Sequence, residues 1–247
     1  GTVGSGTGSS SDTVWTYTFT PTDADESITI DVDSGDISDP AGNPNTATPT
    51  QFAFTHDQTV PTLTIAMSTN GNTGYAKTGN TITLTITASE AVTGLTCTID
   101  GEAATMGGSG TSWTAALTIS GDETAGAATF SCSGYEDAAG NAGATDTTAD
   151  SGAVTIDYTA PTLTIAMSTS GNTGYAKSGD TITLTITASE AVTGLTCTID
   201  GETATMGGSG TSWTAALTIS GDETEGATTF SCGSHSDAAG NAGATDT

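Results

Sequence analysis

Residues Thr81–Glu102 read TITLTITASEAVTGLTCTIDGE, and Thr181–Glu202 read the same again. In the first half Ile82, Leu84 and Ile86 alternate with threonines. An apolar residue at every second position, with β-branched residues between, gives a strand one face for a core and one for water. The same period runs through Leu63, Ile65 and Met67; Leu95, Cys97 and Ile99; Trp113, Ala115, Leu117 and Ile119; Ala128, Phe130 and Cys132; and Val154 and Ile156. Segments of turn chemistry separate these runs: NGNTGYAKTGN at 70–80, DGE at 100–102, GGSGT at 107–111, GDETAG at 121–126 and DAAGN at 137–141. A short strand at Ala103–Met106 brings the total to about seven, and no stretch has the 3.6-residue period of a helix. The chain is read as all-β.

The repetition extends well beyond the quoted stretch. Pro61–Thr147 and Pro161–Thr247 align without a gap at an offset of 100 residues, and ten of the 87 aligned positions differ. Self-similarity at a fixed period marks a tandem array, and about 100 residues suffice for one core per copy. A divergent, partial copy precedes them. Trp15–Pro61 follows Trp113–Pro161 in order of features: a Trp strand, an acidic turn, a D-x-A-G-N loop, a last strand, an Asp and a Pro. The expected division is 1–59, the C-terminal part of a repeat; 60–159, a complete repeat; and 160–247, a repeat lacking its last strand. With no initiator Met or leader at its start, the sequence reads as a window on a longer array.

Charge narrows the class. Twenty-eight Asp and Glu stand against two Lys and no Arg, a formal net charge of −26. Nucleic acid and anionic membrane both need a basic patch, so neither is an expected partner. No apolar run reaches the 18 or so residues of a membrane span. Such a surface either repels its neighbours through water or gathers cations.

The pieces AKSGDTITLTITASEAV, SGTSWTAALTI, DAAGNAG and TIDYTAPTLTIAMS, in that setting, resemble the bacterial Ig-like repeats found in tandem in large extracellular adhesins and surface fibres. The resemblance spans essentially the whole chain. It implies tandem Ig-like β-sandwiches arranged end to end, placed outside the cell or at its surface, with a spacer or adhesive role.

That strand order gives the loops an address. If the first strand runs away from the entering linker, alternation of direction returns the loops at Ser89–Gly94 and Asp137–Gly143 to the linker's end of the domain. Asp57 then meets Glu90, Asp137 and the Asn141 amide oxygen, and Asp157 meets Glu190, Asp237 and Asn241. Hard oxygen donors of this kind suit calcium, which takes 6–8 oxygens from carboxylates and carbonyls. The competing reading is that Asp and Asn only shape the turns, bonding to their own backbone. DVDSGD at 31–36 looks like a calcium loop, but Asp31 and Asp33 flank Val32 in strand alternation and are read as an outward polar face.

Cys97 and Cys132 are 35 residues apart, as are Cys197 and Cys232, with no zinc spacing. Both members of each pair point inward on strands that the Ig-like resemblance makes neighbours in one sheet, so each repeat is expected to carry a disulfide, Cys97–Cys132 and Cys197–Cys232; free buried thiols are the alternative. Disulfides imply an oxidising compartment. His56 and His235 do not recur at matching positions and are read as surface residues, so no catalytic triad is expected and the protein is read as not an enzyme. Threonine rows such as TITLTIT are ordinary for a solvated strand face, although a flat Thr lattice could meet ice or carry O-linked glycans. The expected role is structural, a rod or filament segment whose partners are neighbouring repeats and, through lateral association, further chains. The alternative is an adhesive module contacting glycan, ice or a neighbouring surface. Trp113 and Trp213 fall on the core face, and Tyr75 and Tyr175 are single loop residues, so no recurring aromatic cluster supports that alternative.

Overall fold

The computed structural model describes residues 2–3, 14, 16–21, 25–46, 52–223 and 225–247. Trp15, with which the partial first copy was expected to open, lies outside them. Every regular element among the described residues is a strand. The first part of the chain has β1 (Thr2–Val3), β2 (Phe19–Thr20), β3 (Glu26–Ile30) and β4 (Phe52–His56). The middle part has β5 (Leu63–Thr69), β6 (Tyr75–Ala76), β7 (Thr81–Val92), β8 (Thr96–Ile99), β9 (Glu102–Ala103), β10 (Thr105–Thr118), β11 (Gly126–Ala127), β12 (Phe130–Ser133) and β13 (Thr155–Ile156). The last part has β14 (Leu163–Thr169), β15 (Thr181–Val192), β16 (Thr196–Ile199), β17 (Glu202–Thr203), β18 (Thr205–Thr218) and β19 (Phe230–Gly233).

In the middle repeat β7 lies between β5 and β10, antiparallel to both. A second sheet has β8 between β9 and β12. After β12 the chain bridges back at Asp146, opposite Cys132, before β13 pairs antiparallel with β11 and parallel with β6. The core fills the space between the sheets: Ile65, Ile82, Leu84 and Ile86 from one side meet Leu95, Cys97, Ile99, Phe130, Cys132, Val154 and Ile156 from the other. Burying each Ile or Leu contributes about 1.5–3 kcal/mol. A one-residue slip of β7 would turn that whole set outward and bring threonines in, so the apolar face sets the register.

Two disulfides, Cys97–Cys132 and Cys197–Cys232, each join residues directly opposite across β8–β12 and β16–β19, with Cα atoms 4.1 Å apart in both.

Several expectations need correction. β10 begins at Thr105 and so absorbs Thr105 and Met106, leaving β9 as only Glu102–Ala103, and the expected turn GGSGT is a reversal within β10. Gly108 makes this possible. It holds φ +90°, and a Cβ there would lie 2.2 Å from the Ser112 carbonyl oxygen. Two strands beyond the expected set, β6 and β11, exist only as partners of β13. β7 reaches Val92, so Glu90 stands on a strand and not in a loop. β3 stops at Ile30, so Asp31 and Asp33 are not strand residues. The segment that follows is a turn closed by Asn45, whose Oδ1 accepts from the Gly35 and Ile37 amides at 2.9 and 3.0 Å and whose Nδ2 donates to Asp33 O at 2.9 Å. His235 is buried, not a surface residue.

In the last repeat, residues 175–177 form no strand. Met167 is 42% exposed where Met67 is 7% exposed, because in the middle repeat the segment leading into β13 lies across Met67.

Candidate metal centre at the repeat junctions

Glu90 owes its position to a bulge. Between the pairs Thr87–Ser112 and Val92–Gly110, residues 88–91 of β7 face the single residue Thr111 of β10. Extra residues in one strand bend it and re-aim its side chains. Ser89 stays tied to the entering segment, donating its amide to Thr62 O at 2.9 Å and accepting from Thr62 N at Oγ at 2.9 Å. Beyond the bulge Thr93 exchanges backbone hydrogen bonds with Glu136, at 2.9 and 3.1 Å, which clamps the end of β7 to the loop that carries Asp137. The same pair recurs as Thr193 and Ser236.

The D-x-A-G-N loop closes on its own aspartate. Asp137 Oδ1 accepts from the amides of Ala139 (2.8 Å) and Asn141 (2.9 Å), and Oδ2 accepts from Asn141 Nδ2 (2.8 Å). Asp39 in the first part does the same with Ala41 and Asn43, and Asp237 bonds Asn241 likewise. The loop thus forms the aspartate turn, and the turn also holds the carboxylate at the junction. Asn141 and Asn241 are placed as donors. Their Nδ2 atoms also donate to the carbonyls of Asp57 (3.1 Å) and Asp157 (3.0 Å), fastening the linker to the following domain, so their amide oxygens are not the ones aimed at the carboxylates.

Carboxylate oxygens of Asp57, Glu90 and Asp137 all lie within 4.8 Å of one another, and those of Asp157, Glu190 and Asp237 repeat the arrangement. Asp137 and Asp237 are buried, and the other four are half-buried. Desolvation, followed by the charges of Asp57, Asp137 and Asp25, pushes the Glu90 carboxyl above its ordinary value of 4.5. Desolvation and the charges of Asp157 and Asp237 do the same to Glu190. Burial pushes Asp137 up as well, but the Asn141 side chain and the amides of its turn outweigh that and hold it low. Three carboxylates, each bringing an oxygen within 4.8 Å of the others, are hard donors that could hold a divalent cation.

Two features were missed from the sequence. Asp25 joins the first junction, accepting from Gln58 N at 2.5 Å and from the Thr59 hydroxyl. Pairing of Glu26 with His56 and of Gly126 with Ile156 puts Ala125 in its place at the second junction. The second junction gains cross-domain contacts instead: Asn72 Nδ2 donates to Ala238 O at 2.9 Å, and Lys77 Nζ donates to Gly240 O. Alternating strand direction, followed to the far end of the domain, would have put the 70–80 loop against the next repeat.

The chain matches the family model described as "Bacterial Ig-like domain" twice, over residues 57–156 and 157–247. No curated protein matches it. Among solved structures it is similar to the fibronectin(III)-like modules of Clostridium thermocellum CbhA at 14% identity, covering 74% of this chain and 90% of that chain, with a TM-score of 0.33. That likeness is too distant to bear on function. The two consecutive family matches span most of the described sandwich structure, and the chain belongs to the bacterial Ig-like domain family.

Proposed function

We propose that this chain is a non-catalytic structural segment of an extracellular filament or adhesin stalk, its repeats set end to end as a spacer, with calcium bound at each junction. The observation that carries the reading is the carboxylate triad at Asp57, Glu90 and Asp137, repeated at Asp157, Glu190 and Asp237. Each triad joins a linker residue to two elements of the next domain. Without a cation the charges repel one another and loosen the joint. A cation held by all three would offset that repulsion and tie linker to domain. The direct ties from Asn141, Asn241, Asn72 and Lys77 support the same end-to-end order. Disulfides and family membership fit a secreted or surface protein. No helix among the described residues is long and apolar enough to cross a membrane.

Small-angle scattering and thermal unfolding of the chain, with calcium and with chelator, test this. A compact globule of this length has a radius of gyration of about 18 Å; the rod should exceed it clearly, more so with calcium. Binding only the folded junction stabilises by about 2.7 kcal/mol at a hundredfold excess of calcium over Kd. The chain carrying Asp157→Asn and Glu190→Gln should lose the part of the shift that belongs to the second junction. A globular radius removes the rod, and a calcium-independent unfolding curve removes the cation.

A further inference from the structure

We infer that the middle repeat is a mechanical clamp, in which the last strand, β13, runs parallel to β6 and its lead-in parallel to β5, a seam that tension along the array loads in shear and behind which a disulfide limits extension. The inference rests on the stalk reading, in which pull enters each repeat at its first strand and leaves at its last.

The load path is visible in the backbone. β5 follows directly from the entering linker at Pro61 and β6 comes next after it, and β13 leads directly into the departing linker at Tyr158. β13 runs parallel to β6, with Thr155 opposite Tyr75 and Ile156 opposite Ala76, and Ser151 bridges Ala66 in the same sense. Backbone hydrogen bonds join the two segments from Asp150 N to Ile65 O (2.8 Å), Ser151 N to Ile65 O (3.4 Å), Met67 N to Ser151 O (2.9 Å), Thr155 N to Gly74 O (2.8 Å) and Asp157 N to Ala76 O (2.9 Å). The Asp150 carboxylate adds a side-chain bond, accepting from Ile65 N at 2.7 Å. Pulling the start of one parallel strand against the end of the other strains all of these together. An antiparallel terminal pair would be peeled one bond at a time. Gly152 permits the close seat, since it holds φ +75° and a Cβ there would lie 2.0 Å from Met67 O.

The bridge between Cys97 and Cys132 lies behind this clamp. β9, β10 and β11 fall within the 35-residue separation that it closes, and both clamp strands fall outside it. When the clamp yields, tension passes through the disulfide and the enclosed residues stay short. The last repeat serves as an internal comparison, because its residues 175–177 form no strand and β14 pairs only with β15 among the described strands.

The test is to stretch the 247-residue chain between its ends and record the force and length of each unfolding event. Two sandwich events are expected, the stronger one from the middle repeat. Cys97→Ala with Cys132→Ala identifies it by lengthening that event alone by about 120 Å, the span of the released residues when extended. Thr155→Pro deletes the bond to Gly74 and should lower the force of the same event. If that variant does not fold, Asp150→Ala, which removes the bond to Ile65 N, should lower it too. Ile99→Val, inside the disulfide loop, should cost chemical stability without lowering the force. Equal forces for the two repeats, a force unmoved by the clamp variants, a force lowered as much by Ile99→Val, or an unchanged length without the cysteines would each overturn the clamp. Scattering judges the stalk independently, so a chain that proves compact but holds a strong, disulfide-limited event would separate the two ideas.

Discussion

Positions 135 and 235 occupy the same place with different chemistry. Tyr135 is buried with its hydroxyl donating to Ala144 O at 2.9 Å. His235 is 2% exposed, and neither ring nitrogen has a hydrogen-bond partner in the protein. The ring faces the same close wall in both, since a Cβ on Gly143 or Gly243 would come within 1.9 Å of it. The shorter imidazole cannot copy the bond that the phenol makes. A buried polar group left unpaired costs about 1–3 kcal/mol, so His235→Tyr should stabilise the last repeat by an amount of that order. Thermal unfolding of the variant would show it, and an unchanged or lower midpoint would refute it. As a bare letter in a loop, His235 read as a surface residue. The chain folds back at residues 242–246 and sets Gly243 against the ring, a placement that the identity of the residue does not reveal.

At the scale of the element, β10 is the instructive case. Five residues, GGSGT, have turn composition, and within the 14 residues of β10 they fold the chain back on itself. Glycine marks two different things, a chain that reverses and a chain that must approach another closely. Here both apply, because Gly107 and Gly108 stand at a reversal that brings residues 112–114 back against them. Gly108 lies against the backbone of Ser112 and Trp113, and the Trp113 indole donates back to Gly110 O at 2.9 Å, closing the irregularity. Gly108→Ala would need both a left-handed backbone for alanine and a displacement of Ser112. It should cost about 1–3 kcal/mol, measured as a lower midpoint in urea, and Gly208→Ala should behave alike. A neutral outcome at either would mean that the strand is not held in this path.

For the whole molecule, acid has two opposed effects. Glu90 and Glu190 are lifted above 4.5, so the folded protein holds their protons more tightly than the unfolded chain. Their contribution to stability therefore falls as pH rises through the lifted values and recovers on acidification. Glu123 and Glu223 are opposite. Burial opposes the shift at Glu123, but the amides of Ser120 and Gly121 hold it at about 2, and the same two amide positions, Ser220 and Gly221, hold Glu223 there. Their stabilisation is complete above 4.5 and is lost as pH falls through about 2. In chelator, the unfolding temperature should rise as pH drops from 7 towards 5 and then fall steeply below the ordinary carboxylate range. Glu90→Gln with Glu190→Gln should flatten the rise, and calcium should abolish it. A monotonic fall from neutral pH in chelator would refute the junction repulsion.

Composition and period alone determined that the chain is all-β, that it repeats every 100 residues and which residues of each strand face inward, while the facing of Cys97 and Cys132 followed from the strand order that the Ig-like resemblance implies. These follow from local alternation and from a strand order that fixes neighbours. The approach of Asp57 to Glu90 and Asp137 could be reasoned from strand direction, because each stands at an element's end. Tertiary structure alone decided the bulge that aims Glu90, the role of Asn141 as a donor to the linker, the entry of Asp25 at one junction only, and the parallel seat of β13 on β6. Each depends on which backbone groups find partners across long sequence separations. Residue alternation leaves those pairings open, and the closed core selects them.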